Sequence, residues 1–244
     1  MGQNIGKLFT LKSRINAGET VVGASIPMGV DRSRLESLFE EGTYEFVLVD
    51  SQHSPYDEDR LTAFCKMASE IEIHVQFRIK HTRHTYLVGN YLDLGPAGIE
   101  VPQVELETTV DEAVSNFYYS PWGFRSWGGQ NRFGLGDGSD RLEYAKWWGQ
   151  TGVLWMQIES VASVTKARQL AKAGVDCLSF GPADLSFSLE AHPSHPFKSV
   201  DDCVVHVVEQ LQDTNVAVCF RNTPQDRQKY KDMGVRVLLE TPPL

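Results

Sequence analysis

The stretch VLWMQIESVASVTKARQLAKAGVDCLSFGPADL (Val153–Leu185) contains one complete strand–helix–strand unit. VLWMQIE (Val153–Glu159) is a short apolar run, as a strand buried on both faces should be. SVTKARQLAKAG (163–174) has helical spacing, and its Lys166, Arg168 and Lys172 lie toward the C-terminal half, where cations suit the helix dipole. DCLSFG (Asp176–Gly181) is a second apolar run. Strand, crossover helix and strand make a parallel βαβ unit. The pattern continues in both directions. VVGASIP (21–27), EFVLVD (45–50), IHVQFR (73–78) and GIEVPQV (98–104) precede it; VAVCFR (216–221) and VRVLLE (235–240) follow.

Between these runs lie segments predicted as helices: DRSRLESLFEEG (31–42), capped by Asp31 and stopped by Gly42; 59–69; HTYLVGNYLDLG (84–95); TTVDEAVSNFYYSP (108–121), which adds a short extension; 141–149; VDDCVVHVVEQLQD (200–213); and TPQDRQKYKDMG (223–234). An opening helix is expected over residues 4–17, with Ile5, Leu8, Leu11 and Ile15 on one face. Eight strands, most followed by helices, predict an α/β chain folded as one (β/α)₈ (TIM) barrel domain over residues 1–244. An open doubly wound sheet shares the pattern, but the chain has no GxGxxG after an early strand and no GxxxxGK[ST]. The C-terminus after strand eight is short, only TPPL, which leaves open what covers that strand.

The 244 residues suit a single barrel core, and the formal net charge of −9 argues against binding the nucleic-acid backbone. No signal-peptide pattern or 18-residue apolar run occurs, so a cytoplasmic, non-membrane protein is expected. Cys65, Cys177, Cys203 and Cys219 form no CxxC pair and are read as buried free thiols. PWGFRSWGGQNRFGLGDG (121–138) is long for a connection, which favours a functional loop. Its Trp122 and Trp127 could wall a substrate pocket or anchor the loop.

The polar residues of the strand runs fall at their C-terminal ends: Asp50 and His53 after strand two, Arg78 on strand three, Gln157 and Glu159 on strand five, Asp184 after strand six. In a barrel these ends share one face. Singly, Glu159 or Asp184 could be a cap or a solvent-facing carboxylate. Together they repel unless a proton or cation lies between them, and two carboxylates completed by water and substrate oxygens suit Mg²⁺ or Mn²⁺. His53 has the pKa range of a base, and Arg78 suits a carboxylate or a developing enolate. Asp93 could bond within its own helix region or orient His53 from behind. GPAD (181–184) lets backbone N–H groups approach an anion, although Gly-Pro also simply marks turns. His81 and His84 of HTRH, and His192 and His195, are read as surface histidines rather than ligands.

By the ordered motifs VLVDSQHSPYD, VQFR, YLDLGPAGIEVPQV, YYSPWGFRSWG, MQIES and FGPADLSFSL, the chain from about Val21 to Glu240 resembles the HpcH/HpaI aldolases, pyruvate-dependent class II enzymes with barrels of the phosphoenolpyruvate/pyruvate type. The resemblance implies a reversible, divalent-metal-dependent cleavage of a 4-hydroxy-2-oxo acid to pyruvate and an aldehyde through a pyruvate enolate held at the ion. The ion would be Mg²⁺ or Mn²⁺, with Co²⁺ as a further candidate. By resemblance Glu159 and Asp184 are the metal carboxylates, Arg78 stabilises the enolate, and His53 with partner Asp93 moves the proton. Gln157, Asp50 and the N–H groups of Ala183 and Asp184 bind or orient the oxo acid. A homo-oligomer, hexameric or smaller, is also implied. An oxaloacetate decarboxylase or related decarboxylating lyase on the same site, and a non-catalytic barrel, are the alternatives. The chain departs from the family pattern at Gln52, where Glu usually precedes the histidine, at Arg125-Ser126, in the spacing to Asp93, and in its short C-terminus.

Overall fold

The computed structural model describes residues 10–40, 42–136 and 138–243. Eight strands pair in parallel and in sequence order into a closed barrel: β1 (Val21–Ser25), β2 (Phe46–Asp50), β3 (His74–Arg78), β4 (Gly98–Val101), β5 (Val153–Ile158), β6 (Cys177–Phe180), β7 (Ala217–Arg221) and β8 (Val237–Glu240). β8 closes on β1 with Val21 opposite Val237. The open-sheet alternative is thereby excluded. The helices are α1 (Thr10–Asn16), α2 (Arg32–Glu40), α3 (Glu58–Glu70), α4 (Val88–Leu92), α5 (Glu107–Phe117), α6 (Arg141–Thr151), α7 (Val161–Thr165), α8 (Ala167–Leu170), α9 (Pro182–Ala191), α10 (Val200–Leu211) and α11 (Arg227–Asp232).

Alternation along each strand divides the apolar core in two. Val47, Val49, Phe77 and Ile99 point outward, into a large cluster beneath the helices. Phe46, Leu48, Trp155 and Leu239 point inward and fill the lower barrel. Space inside is rationed by glycine. A Cβ on Gly23 would lie 2.1 Å from the Phe46 ring, and one on Gly98 would lie 1.9 Å from Gln76 Oε1.

Of the opening helix, residues 4–9, including Ile5 and Leu8, lie outside the described residues. α1 does not cover strand eight from outside. Its Leu11 and Ile15 join the inner cluster, so the helix plugs the N-terminal end of the barrel. Lys12 fastens the plug through Asp176 (2.8 Å), the Gly152 carbonyl (2.8 Å) and the Tyr118 hydroxyl (3.0 Å).

Three predicted helices are broken, one of them 223–234, which begins as a 3₁₀ turn (Pro224–Asp226) before α11. The segment after β5 splits at Lys166 into α7 and α8. Val161, Val164, Ala167 and Leu170 are its buried apolar residues. That spacing of three keeps one face on the sheet only if the chain tightens toward three residues per turn. The segment after β3 likewise begins as a 3₁₀ turn (Thr82–Leu87) before α4. Asp31 and Gly42 act as read: the Asp31 carboxylate accepts from the Arg34 N–H at 2.8 Å, and Gly42 has φ +68°. GPAD forms no separate turn. Gly181 caps α9, and Pro182, Ala183 and Asp184 are its first turn. Among the described residues no helix is long and apolar enough to cross a membrane.

Candidate active site

The apolar filling stops near the C-terminal ends of the strands, where a polar deck replaces it. Asp50, Arg78 and Glu100 are registered neighbours on β2, β3 and β4. Asp50 grips Arg78 with two parallel bonds, Nε to Oδ1 and Nη2 to Oδ2, both 2.7 Å. The fork geometry fixes the guanidinium plane and leaves Nη1 to reach Gln157 Oε1 at 3.3 Å. Asp50 also accepts the backbone N–H groups of Gln52 (2.9 Å) and His53 (3.2 Å), which sets the course of the loop after β2. Burial works to raise the Asp50 carboxyl, but Arg78 and these N–H groups outweigh it and hold it below its ordinary range. The His53 side chain is exposed at this end.

Glu159 follows β5 directly and is 7% exposed. Its Oε1 accepts the Gln103 N–H at 2.9 Å. Burial first, then the charges of Asp184 and Glu100, push its carboxyl up to about 7 against the opposing pull of Gln103 and Arg78. Gly181 provides the space beside it: a Cβ there would lie 2.2 Å from Glu159 Oε2. Asp184 is exposed in the first turn of α9. The N–H groups of Ala183 and Asp184 belong to that first turn and have no partner within the helix, which makes this helix end receptive to an anion. Asp50, Arg78, Gln157, Glu159, Ala183, Asp184 and His53 are thus gathered at one end of the barrel.

Asp93 is not among them. It ends α4, which has carried the chain back to the opposite end of the barrel. Four residues later Ala97 donates to the Val75 carbonyl at the start of β4. A strand of five residues spans about 17 Å, so Asp93 and His53 of one chain face opposite ways. The partner of Asp93 is Arg125, at 2.9 Å. Burial pushes the Asp93 carboxyl up despite that arginine.

Arg125 is itself stacked between the rings of Tyr119 (4.8 Å) and Trp148 (4.9 Å). The long loop lies at this far end too, with Phe133 against His74 of the β3 start. Trp127 packs on Tyr119 and Tyr144 under Arg132 (3.8 Å), so it is a loop anchor and forms no wall of its own chain's mouth. Trp122 and Phe124 are exposed.

His81 caps the 3₁₀ turn, His84 meets the Tyr91 hydroxyl at 3.0 Å, His192 meets the Ser188 carbonyl of α9, and His195 accepts the Phe197 N–H. The four cysteines are buried and free.

Two residues of the deck escaped the sequence reading. Glu100 is fully buried, and Arg221 ends β7. Arg221 Nη2 donates to Glu100 Oε2 at 2.7 Å, its Nη1 to the Phe180 carbonyl at 2.9 Å, and Ser179 Oγ to Glu100 Oε1. The signals were present: an acidic residue inside the apolar run GIEV, and a CFR ending that repeats the QFR ending of Arg78.

A closed barrel whose carboxylates and guanidiniums gather at the C-terminal end has the layout of a barrel enzyme. The model of the HpcH/HpaI aldolase/citrate lyase family matches residues 32–233, and the chain belongs to that family. It is an aldolase-type lyase. It is 26% identical to a hydroxypyruvate/pyruvate aldolase of Roseobacter denitrificans, over 94% of this chain and 89% of the relative. It is 25% identical to a 4-hydroxy-2-oxovalerate aldolase of Rhodococcus jostii, over 92% and 86%. The crystal structure of an HpcH/HpaI aldolase from Desulfitobacterium hafniense superposes with a TM-score of 0.80 at 25% identity, covering 95% of this chain and 89% of that one.

Proposed function

We propose that the chain is a divalent-metal-dependent aldolase that reversibly cleaves a 4-hydroxy-2-oxo acid to pyruvate and an aldehyde. The observation that carries this reading is the buried Glu159 carboxyl beside Asp184, pushed up to about 7 by burial first and then by the charges of Asp184 and Glu100. Of the charged groups that face the barrel interior at this end, four are carboxylates (Asp50, Glu100, Glu159, Asp184) and two are guanidiniums (Arg78, Arg221), an excess of two negative charges; Glu240 at the end of β8 is paired with Arg227. Oxygen donors with that excess, beside a glycine that leaves room, fit a hard divalent ion such as Mg²⁺, Mn²⁺ or Co²⁺. Among the described residues no group of three or more His, Cys, Asp or Glu side chains forms a cage. Glu159 and Asp184 would hold the ion and leave positions for water and substrate oxygens.

Such an ion supplies Lewis acidity toward a 2-oxo acid. The chain's own groups account for the rest. The Ala183 and Asp184 N–H groups receive the substrate carboxylate. Gln157 and Arg78 receive the C2 oxygen, and Asp50 keeps Arg78 in plane. His53 takes the proton from the C4 hydroxyl; the C4–O pair becomes the aldehyde carbonyl, the C3–C4 bond breaks, and its electrons form the pyruvate enolate. Arg78 stabilises that oxyanion until C3 is protonated.

Asp93 can serve His53 only from a second copy of the chain, because within one copy they face opposite ends. This favours a homo-oligomer, hexameric or smaller, with shared sites. Mixing His53→Ala with Asp93→Asn, each nearly inactive, is expected to restore part of the activity on subunit exchange, because some mixed sites carry both native residues. Activity of the mixture no greater than the sum of its components would remove Asp93 from the mechanism.

The function is tested by giving cation-stripped protein Mg²⁺, Mn²⁺ or Co²⁺ with 4-hydroxy-2-oxo acids, and separately with oxaloacetate. Retro-aldol turnover that returns with the cation is expected. Rapid decarboxylation of oxaloacetate without retro-aldol turnover would make the chain a decarboxylase instead.

A further inference from the structure

We propose that Glu100 and Arg221 are positioning residues that set the charge of the site: Glu100 supplies negative charge beneath Glu159, and Arg221 crosses the barrel to hold that charge in place. The inference rests on the proposed cation site and extends it to two residues that touch neither ion nor substrate in the proposed mechanism.

The geometry is unusual for a barrel interior, which is normally filled by branched apolar side chains. Glu100 lies on β4 and Arg221 on β7, three strands apart in a closed ring. Their 2.7 Å contact therefore bridges the interior rather than two adjacent strands. Glu100 is fully buried, and its two oxygens are taken by Arg221 and Ser179. Removing one partner of such a pair strands the other charge, and a purely structural pair of similar volume could have been apolar at little cost in stability. What an apolar pair could not supply is charge. Glu100 is the registered neighbour of Arg78 on one side. Its field reaches both principal residues: it is among the groups that sustain the Arg78 charge against burial and among those that raise Glu159. With Asp50–Arg78 and Glu100–Arg221 each neutral as a pair, the remaining excess charge sits on Glu159 and Asp184, where the cation is proposed to bind.

The consequence is asymmetric, which separates this role from packing. Glu100→Gln keeps the shape, leaves Arg221 uncompensated and lowers the excess charge by one, so divalent affinity should fall about tenfold or more. Arg221→Gln removes a positive charge, so affinity should hold or rise. The double variant Glu100→Gln/Arg221→Gln restores the native charge count and should bind within about threefold of the native chain.

The experiment is Mn²⁺ binding to cation-stripped protein, read by electron paramagnetic resonance of free Mn²⁺. Circular dichroism checks the fold, and Glu159→Ala serves as the control. The double variant also keeps the test alive if Arg221→Gln alone fails to fold. Weakening in Glu100→Gln that is reversed in the double variant supports the proposal. Native affinity in Glu100→Gln, or equal weakening in all three variants, overturns it. Absence of Mn²⁺ binding to the native chain, or undiminished binding to Glu159→Ala, would instead remove the cation site itself.

Discussion

Glu159→Ala is expected to abolish the proposed cation-dependent turnover, by about 10³-fold or more, while the barrel stays folded. The size follows from what the residue is proposed to do. A loss of that order corresponds to about 4 kcal/mol of transition-state stabilisation, which is within reach of one ion acting as a Lewis acid. The fold should survive because the carboxylate makes only one described hydrogen bond, to the Gln103 N–H, and sits past the end of β5 rather than inside the strand ladder. The measurement is kcat/KM with saturating Mg²⁺ or Mn²⁺, alongside thermal unfolding. Native-level turnover in a folded variant would show that the cation is held elsewhere.

The same residue should lower stability when no cation is present. The Glu159 carboxyl is raised to about 7, chiefly by burial and then by Asp184 and Glu100; in the unfolded chain it titrates near its ordinary value. Below about pH 4 the group is protonated in both states and has no effect. As pH rises toward 7, the unfolded chain releases the proton while the folded chain still holds it, so stability falls, and the loss is complete above about pH 7. Glu159→Gln carries no such charge. It should therefore stabilise the cation-free protein by up to about 3 kcal/mol at pH 8 and by little at pH 4. Urea unfolding of chelator-treated native and variant protein at the two pH values reads the difference. A constant difference across pH would mean that the gain comes from packing and not from charge. Added Mn²⁺ should reverse the order at pH 8, because only the native chain gains binding energy from it.

Both expectations concern a residue whose importance is only half visible in sequence. Alone, Glu159 could have been any carboxylate after an apolar run. Its address, shared with Asp50, Arg78, Gln157 and Asp184 at the ends of strands two, three, five and six, was legible because parallel βα units send all strand ends to one side. The helix reading was less secure. The period of three in Val161, Val164, Ala167 and Leu170 was present in the residues, but its effect depends on the sheet beneath them. GPAD looked like a turn, since Gly-Pro suits both a turn and a helix start; only the chain's direction after β6 makes it the first turn of α9.

What the sequence by itself determined is therefore the order of the eight strands, the face that carries the chemistry and the residue types on it. These depend on local periodicity and on a topology with one handed solution. Only the tertiary structure decided which residues meet across the barrel. Glu100 and Arg221 are 121 positions apart and join because the closed ring turns both inward. Asp93 and His53 are 40 apart and do not meet, because α4 carries Asp93 to the opposite end. Separation along the chain sets neither result; the closure of the sheet and the direction of each helix do.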